Sequence, residues 1–144
     1  HNVGGIVALA EALRRTDAER TQQVPRLAAL RDSLVDGIVG ALDGVHETVP
    51  RPAKVAGSAH LCIEGIENEA LLFLLDEAGV CASAASACAA GAMEPSHVLA
   101  AMGVPRELAT GALRLTLGST STEANVERGI AAVTDAVRRL RRPA

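Results

Sequence analysis

The sequence predicts an α+β fold, in which a small, mostly antiparallel sheet of three to four strands is covered by helices. Apolar residues recur every three or four positions in two long segments, 24–42 and 123–141, as they do in amphipathic helices. Shorter segments at 58–64 and 113–117 alternate in a way that is typical of strands with one buried face. Apolar residues make up 49% of the 144-residue chain, which is enough for the core of one domain.

The first 42 residues have helical spacing over most of their length. In residues 2–15 the apolar positions follow a helical pattern, and the polar stretch 16–19 either interrupts that helix or continues it. Segment 24–42 is the clearest amphipathic helix of the chain. Pro25 suits the first turn of that helix, and Gly44 follows its end. The sequence therefore predicts a helix that begins near residue 24.

The rest of the chain alternates short strands and helices. The expected strands are 46–49, 58–64, 80–82 and 113–117, and the expected helices are 67–78, 94–102, 105–110 and a last helix that ends near Arg141. Gly79 is placed to cap the helix that precedes it. Thr120 and Glu123 have capping-box spacing at the start of the last helix, although Ser121 and Thr122 are alternative caps.

Composition and charge exclude several classes of function. The net charge is −3, so there is no electrostatic basis for binding nucleic acid. No apolar run approaches the ~20 residues that a membrane-spanning helix needs, and no signal peptide is visible. Three cysteines without regular spacing argue against a disulfide scaffold and for a reducing compartment, so we expect a cytoplasmic protein. Because the cysteines and histidines lack metal-site spacing, no metal is expected.

A run of alanine, serine and glycine residues surrounds Cys88. Side chains this small do not pack a core, and a segment made of them suits a loop that carries a reactive group. We therefore interpret Cys88 as a nucleophile that accepts sulfur and carries it away. The alternative is a buried thiol that packs as a small apolar side chain. Cys62 fits that alternative better, because it stands between Leu61 and Ile63 in an expected strand.

Three further residues are candidates for a role at the same site. Arg114 lies in the middle of an expected strand, where it either recognises a carboxylate or is simply exposed. His97 follows the Cys88 segment and either supports the thiolate or only packs or caps a helix. Cys81 is either a core thiol or a resolving cysteine that forms a disulfide with Cys88, and spacing alone leaves both open.

Five short motifs give this chain a resemblance to a known enzyme family. The chain resembles the C-terminal part of the cysteine desulfurases, which are pyridoxal-phosphate enzymes with the class V aminotransferase fold. The motifs are Asn2–Val7 (NVGGIV), Glu69–Leu72 (EALL), Ser86–Cys88 (SAC), Glu94–Leu99 (EPSHVL) and Leu113–Gly118 (LRLTLG). They occur in the family's order, and the resemblance covers essentially the whole chain.

The resemblance implies a mechanism. L-cysteine would be the substrate, and the Cys88 thiolate would attack its sulfur to form a persulfide, with alanine released. Arg114 matches the arginine that holds the substrate carboxylate. The persulfide sulfur would then pass to an acceptor, either an iron–sulfur scaffold or a tRNA-thiolation protein. The resemblance also suggests that the complete enzyme is a homodimer.

The resemblance further implies that the cofactor binds outside this chain. Family members hold pyridoxal phosphate in a larger N-terminal domain that supplies the Schiff-base lysine, whereas the single lysine here, Lys54, lies in a proline-rich loop. We expect residues 1–22 to be the linking helix from that missing large domain and residues 23–144 to be the small C-terminal domain. No cofactor-binding residue is expected in this chain, which by itself should neither bind the cofactor nor release sulfide.

Two other classes of function fit the same residues. One is a stand-alone persulfide-relay or redox module, in which Cys88 accepts sulfur from another protein and Cys81 resolves the persulfide. The other is a non-catalytic interaction domain.

Overall fold

A computed structural model of the chain describes residues 1–84 and 96–142. The helices in these two ranges are α1 (Val3–Ala41), α2 (Asn68–Glu77), α3 (His97–Ala101), α4 (Arg106–Ala109) and α5 (Glu123–Leu140). The strands are β1 (Val45–Glu47), β2 (Ser58–Ile63) and β3 (Ala112–Thr116), with a short 3-10 turn at Arg51–Ala53 between β1 and β2. The predicted combination of helices with a small sheet is confirmed.

The three strands form one antiparallel sheet in the order β1-β2-β3. The strand predicted at 80–82 was wrong: within the described ranges, that part of the chain adds only a single antiparallel bridge, between Ser83 and Arg114. Ser83 N–H donates to the Arg114 carbonyl oxygen at 3.1 Å, and Arg114 N–H donates to the Ser83 carbonyl oxygen at 2.7 Å. The bridge is this short because the chain leaves α2 through a turn at Gly79, with φ of +70°, and reaches the edge of β3 only at Ser83.

One face of the sheet carries the main apolar core. Alternate residues of β2 and β3 point to this face, where α1, α2 and α5 pack over them. The core residues with the least exposure include Ile38, Leu61, Ile63, Leu71, Leu75, Leu113, Val133 and Val137. Gly37 lets α1 and α5 approach closely, because a Cβ at this position would collide with the Ile130 side chain. The apolar stripe predicted for α5 is confirmed as the stripe that faces this core.

The opposite face of the sheet is only partly covered. Cys62 and Ala112, which are paired across β2 and β3, pack there against Leu99 of α3 and Ala109 of α4. All four residues are buried, so the prediction that Cys62 is a core thiol is confirmed. The helices α3 and α4 therefore form a small cap over one end of this face and, among the described residues, leave the other end open.

Helix α1 runs without interruption for 39 residues, and Pro25 lies inside it. The prediction of a helix that begins near residue 24 was therefore wrong. An internal proline removes one backbone hydrogen bond and costs about 3 kcal/mol. The preceding turns are rich in strong helix formers, which offset part of that cost. Arg26 also anchors the helix, since its guanidinium donates to the carbonyl oxygens of Ser119 at 2.9 Å and Ser121 at 2.7 Å.

The first half of α1 extends away from the core. Of residues 1–22, all but Glu11 are exposed, and fully buried side chains begin at Leu30. The domain boundary expected after residue 22 stays a prediction. In the described ranges, no helix combines the length and the apolar character that a membrane crossing requires.

Side-chain caps set the start of α3, which was predicted at residue 94, and the start of α5, for which the sequence offered three caps. Helix α3 begins at His97 rather than at residue 94, because the Ser96 side chain caps it by accepting from the Val98 N–H. Helix α5 is capped by Thr122, whose hydroxyl accepts from the Asn125 N–H while the Asn125 side chain accepts from the Thr122 N–H. The capping box therefore uses the last of the three candidate caps.

We predict that Leu113→Ala lowers the free energy of unfolding by about 2–5 kcal/mol, because it opens a cavity beneath the sheet. Leu113 is 0% exposed, whereas Leu13, on the projecting half of α1, is 62% exposed. Leu13→Ala is the matched control and should change the stability by less than about 0.5 kcal/mol. Urea denaturation of both variants checks this. Equal losses would contradict the assignment of the core to the sheet.

We also predict that iodoacetamide modifies Cys81 and spares Cys62 in the folded protein. Cys81 is exposed, whereas Cys62 is 0% exposed and its burial raises the pKa of its thiol. Peptide mass spectrometry after timed labelling measures both rates. Labelling in urea is the control, since both thiols should then react. Similar rates under native conditions would show that the cap of α3 and α4 does not shield Cys62.

Candidate functional site

The predicted nucleophile, Cys88, lies in segment 85–95, outside the described residues. The residues on either side of that segment are placed. Ser83, two residues before it, is bridged to Arg114 at the edge of β3. Ser96, directly after it, is buried and caps α3. The chain therefore enters this segment beside Arg114 and leaves it at the cap formed by α3 and α4.

Arg114 occupies the centre of β3 and points away from the main core. Its neighbours Leu113 and Leu115 are buried in that core, and Arg114 itself is exposed on the opposite face. Its backbone pairs with His60 of β2 on one side and with Ser83 on the other. This two-sided pairing fixes the position of the strand from which the guanidinium projects. A guanidinium held in this way suits the two oxygens of a carboxylate.

Arg114 belongs to a line of polar side chains that crosses the open face, which we call the polar row: Thr48, His60, Arg114 and Ser83. His60 is directly opposite Arg114 in the register of β2 and β3, and Ser83 is opposite Arg114 on the other side. Thr48 continues the register of β1, and its N–H donates to the His60 carbonyl oxygen at 3.3 Å. Residues that face each other across antiparallel strands project from the same face, so the row forms one polar strip.

His60, like Thr48 and Ser83, is a member of the polar row that the sequence did not indicate as a site residue. Its Nδ1 atom lies 2.9 Å from the Thr48 hydroxyl oxygen. Burial lowers the pKa of His60, and the positive charges of Lys54 and Arg114 lower it further, so the neutral imidazole is favoured. Hydrophobic alternation placed His60 only on the polar side of β2. The strand register that brings it opposite Arg114 cannot be predicted from the spacing of apolar residues.

The structure does not bring the other candidates into this row. His97 is the first residue of α3 and is exposed, and its side chain makes no hydrogen bond within the described ranges. Cys81 is exposed and is not in a disulfide with a described residue. Support of the Cys88 thiolate by His97 therefore stays a prediction. So does a resolving role for Cys81.

The described residues do not fit pyridoxal phosphate. An aldehyde cofactor needs a free lysine amine, and the one lysine of this chain is Lys54. Its side chain is only 4% exposed and is ion-paired with Glu47, which ties it into the loop between β1 and β2. No group of three or more metal-ligating side chains occurs in the described ranges either. The described residues therefore offer neither a free lysine amine nor a metal-ligating cluster to a cofactor.

Comparison with known proteins agrees with the motifs and the fold. The family model for aminotransferase class-V matches residues 1–128. The chain is 42% identical over 144 residues to an IscS-like cysteine desulfurase from Mycobacterium tuberculosis, covering 99% of this chain and 37% of that protein. It is 39% identical over 140 residues to cysteine desulfurase IscS from Methanosarcina thermophila, covering 97% and 34% respectively. The chain thus spans about a third of the length of these curated relatives.

Solved structures give the same result at the level of the fold. A NifS-like protein superimposes with a TM-score of 0.83 and 28% sequence identity, over 96% of this chain and 34% of that one. A NifS-like protein from Rickettsia africae superimposes with a TM-score of 0.73 and 25% identity, over 90% of this chain and 32% of that one. Since the family model covers most of the sequence and the fold agrees, the chain belongs to the aminotransferase class-V family.

Proposed function

We propose that this chain is part of a cysteine desulfurase, which takes sulfur from L-cysteine as a persulfide on Cys88. The observation that carries the proposal is the bridge between Ser83 and Arg114. It holds the residues just before the Cys88 segment beside an exposed arginine. The candidate nucleophile, Cys88, is five positions after Ser83, which is paired with the candidate carboxylate anchor, Arg114. The names and the similarity of the relatives support the same reaction.

In this proposal Arg114 binds the carboxylate of the substrate. The guanidinium is exposed on the open face of the sheet, whereas the backbone beneath it is hydrogen-bonded on both sides. A carboxylate gains two parallel charge-assisted hydrogen bonds from such a group. Binding in this way fixes the orientation of a small amino acid and leaves its thiol at the other end.

The role of Cys88 is to attack the sulfur of the bound cysteine. A sulfur–sulfur bond forms between the Cys88 thiolate and the substrate sulfur, and the carbon–sulfur bond of the substrate breaks. The electron pair of that bond stays with the carbon, which takes up a proton to give alanine. The sulfur remains on Cys88 as a persulfide. The thiolate is the reactive form, so a nearby cation or base would assist, and His97 is the candidate.

The enzymes of this family use pyridoxal phosphate in general. Because Lys54 is ion-paired and enclosed, we expect that this chain by itself neither binds the cofactor nor releases sulfide from cysteine. The complete enzyme is proposed to be a cytoplasmic homodimer, and its persulfide would pass sulfur to an iron–sulfur scaffold or a tRNA-thiolation protein. These finer assignments rest on the family resemblance alone.

One observation favours a second candidate function, a persulfide-relay or redox module. Cys81 is exposed and lies seven residues before Cys88, so it is accessible as a resolving thiol. In that module the sulfur would come from another protein and a Cys81–Cys88 disulfide would complete the cycle. The two functions differ in whether Cys81 is needed.

We predict that Cys88→Ser abolishes alanine and sulfide formation from L-cysteine in the holoenzyme, because a hydroxyl does not accept sulfur from the substrate. Cys81→Ser is the matched control and should retain activity within about twofold, since Cys81 has no role in the desulfurase reaction. Steady-state alanine release with L-cysteine and a reducing agent measures both.

Two results would decide against the proposal. Full activity of Cys88→Ser would remove Cys88 as the sulfur carrier. Loss of activity in Cys81→Ser, with a Cys81–Cys88 disulfide trapped in the unmodified protein, would favour the relay or redox module instead.

A further inference from the structure

The polar row contains one titratable side chain that the proposed function does not use. His60 is half-buried and stands between Thr48 and Arg114 on the open face of the sheet. Its Cβ is expected within about 4.5–5.5 Å of the Arg114 Cβ, because the two residues are directly opposite on antiparallel strands. Two nitrogen-bearing side chains therefore project side by side from one face.

Thr48 decides which ring nitrogen of His60 carries the proton. The Thr48 hydroxyl oxygen is 2.9 Å from Nδ1 and 3.3 Å from the His60 carbonyl oxygen. A hydroxyl has one proton, and the shorter contact is the better hydrogen bond, so we assign the hydroxyl as the donor to Nδ1. The ring proton is then on Nε2. In the described ranges, Nε2 has no hydrogen-bond partner.

The charges around His60 favour a neutral ring next to a fixed cation. Lys54 and Arg114 are the two positive charges that act on it, and Lys54 is ion-paired with Glu47. Cys62, which flanks His60 on the same strand and face, is buried beneath the cap. Within the polar row, the exposed positive charge is that of Arg114. An anion that binds Arg114 meets a neutral N–H donor on the adjacent strand.

We propose that His60 is a second substrate-binding residue, whose Nε2–H donates to the carboxylate that Arg114 holds. This inference rests on the proposed function, because it needs a carboxylate substrate at Arg114. A carboxylate offers about four lone-pair sites, and a guanidinium occupies two of them. A donor from the neighbouring strand takes another site and restricts rotation of the carboxylate about the axis of the arginine. The row therefore both pairs with the negative charge of the substrate carboxylate and fixes its orientation.

The kinetic test uses the holoenzyme with L-cysteine. His60→Ala should raise KM about ten- to a hundredfold, the effect of one lost hydrogen bond to a charged group, while kcat changes less than about twofold. His60→Gln keeps an amide N–H donor and should recover part of the loss. His46→Gln is the matched control, because His46 is exposed on β1, lies opposite Cys62 rather than in the row, and has its Nε2 atom bonded to Glu64. It should leave both constants unchanged.

A spectroscopic test does not depend on turnover. The holoenzyme is labelled with ¹³C-histidine, and the His60 signal is identified by its loss in His60→Gln. Sodium acetate is the carboxylate probe, with sodium chloride at equal ionic strength as the control. Acetate should shift the His60 signal and move its titration midpoint to higher pH, because a nearby anion favours the imidazolium form. Arg114→Gln should abolish this shift.

The outcomes separate this inference from the proposed function. A normal KM in His60→Ala, with an acetate-insensitive His60 signal, overturns the inference and leaves the desulfurase proposal intact. Absence of activity in the unmodified holoenzyme overturns the proposed function, and an acetate shift that depends on Arg114 then still supports the anion site. If His60→Ala fails to fold, His60→Gln and the acetate titration decide.

Discussion

The backbone pairing of Arg114 is the interaction on which the rest of this structure depends. Its strand is hydrogen-bonded to β2 on one edge and to Ser83 on the other. Because side chains alternate along a strand, the burial of Leu113 and Leu115 in the main core forces Arg114 to the opposite face. A slip of one residue would bury the guanidinium and expose the leucines. The apolar core therefore determines where the charged group of the site projects.

The two faces of the sheet have different roles. Helices α1, α2 and α5 pack over one face and provide the core that fixes the register. The cap of α3 and α4 covers only part of the other face, over Cys62 and Ala112. The polar row lies beside this cap, with Ser83 bridged to the sheet and Ser96 at the start of α3. The proposed carboxylate anchor, Arg114, is bridged to Ser83, five positions before the proposed sulfur carrier Cys88 in the sequence.

The sequence predicted the parts of this arrangement that are determined locally. The alternation in β2 and β3, the stripe of α5 and the glycine after α2 follow from spacing and backbone conformation. The helix start predicted at Pro25 was wrong, because the helix formers around the proline and the contacts of Arg26 continue the helix through it. In place of the strand expected at 80–82 there is a single bridge at Ser83. The position of His60 opposite Arg114 was not predicted either. Both depend on pairing between distant segments, which periodicity does not record.

The most direct test of this account is the steady-state kinetics of the Arg114→Gln holoenzyme with L-cysteine. Arg139→Gln is the control, because Arg139 is exposed on α5, far along the chain from the row. The account predicts that Arg114→Gln raises KM at least about tenfold with a much smaller change in kcat, since a charge-assisted contact of about 1.5–3 kcal/mol is lost. An unchanged KM in Arg114→Gln, or an equal rise in Arg139→Gln, would contradict the claim that the sheet presents this arginine to the substrate.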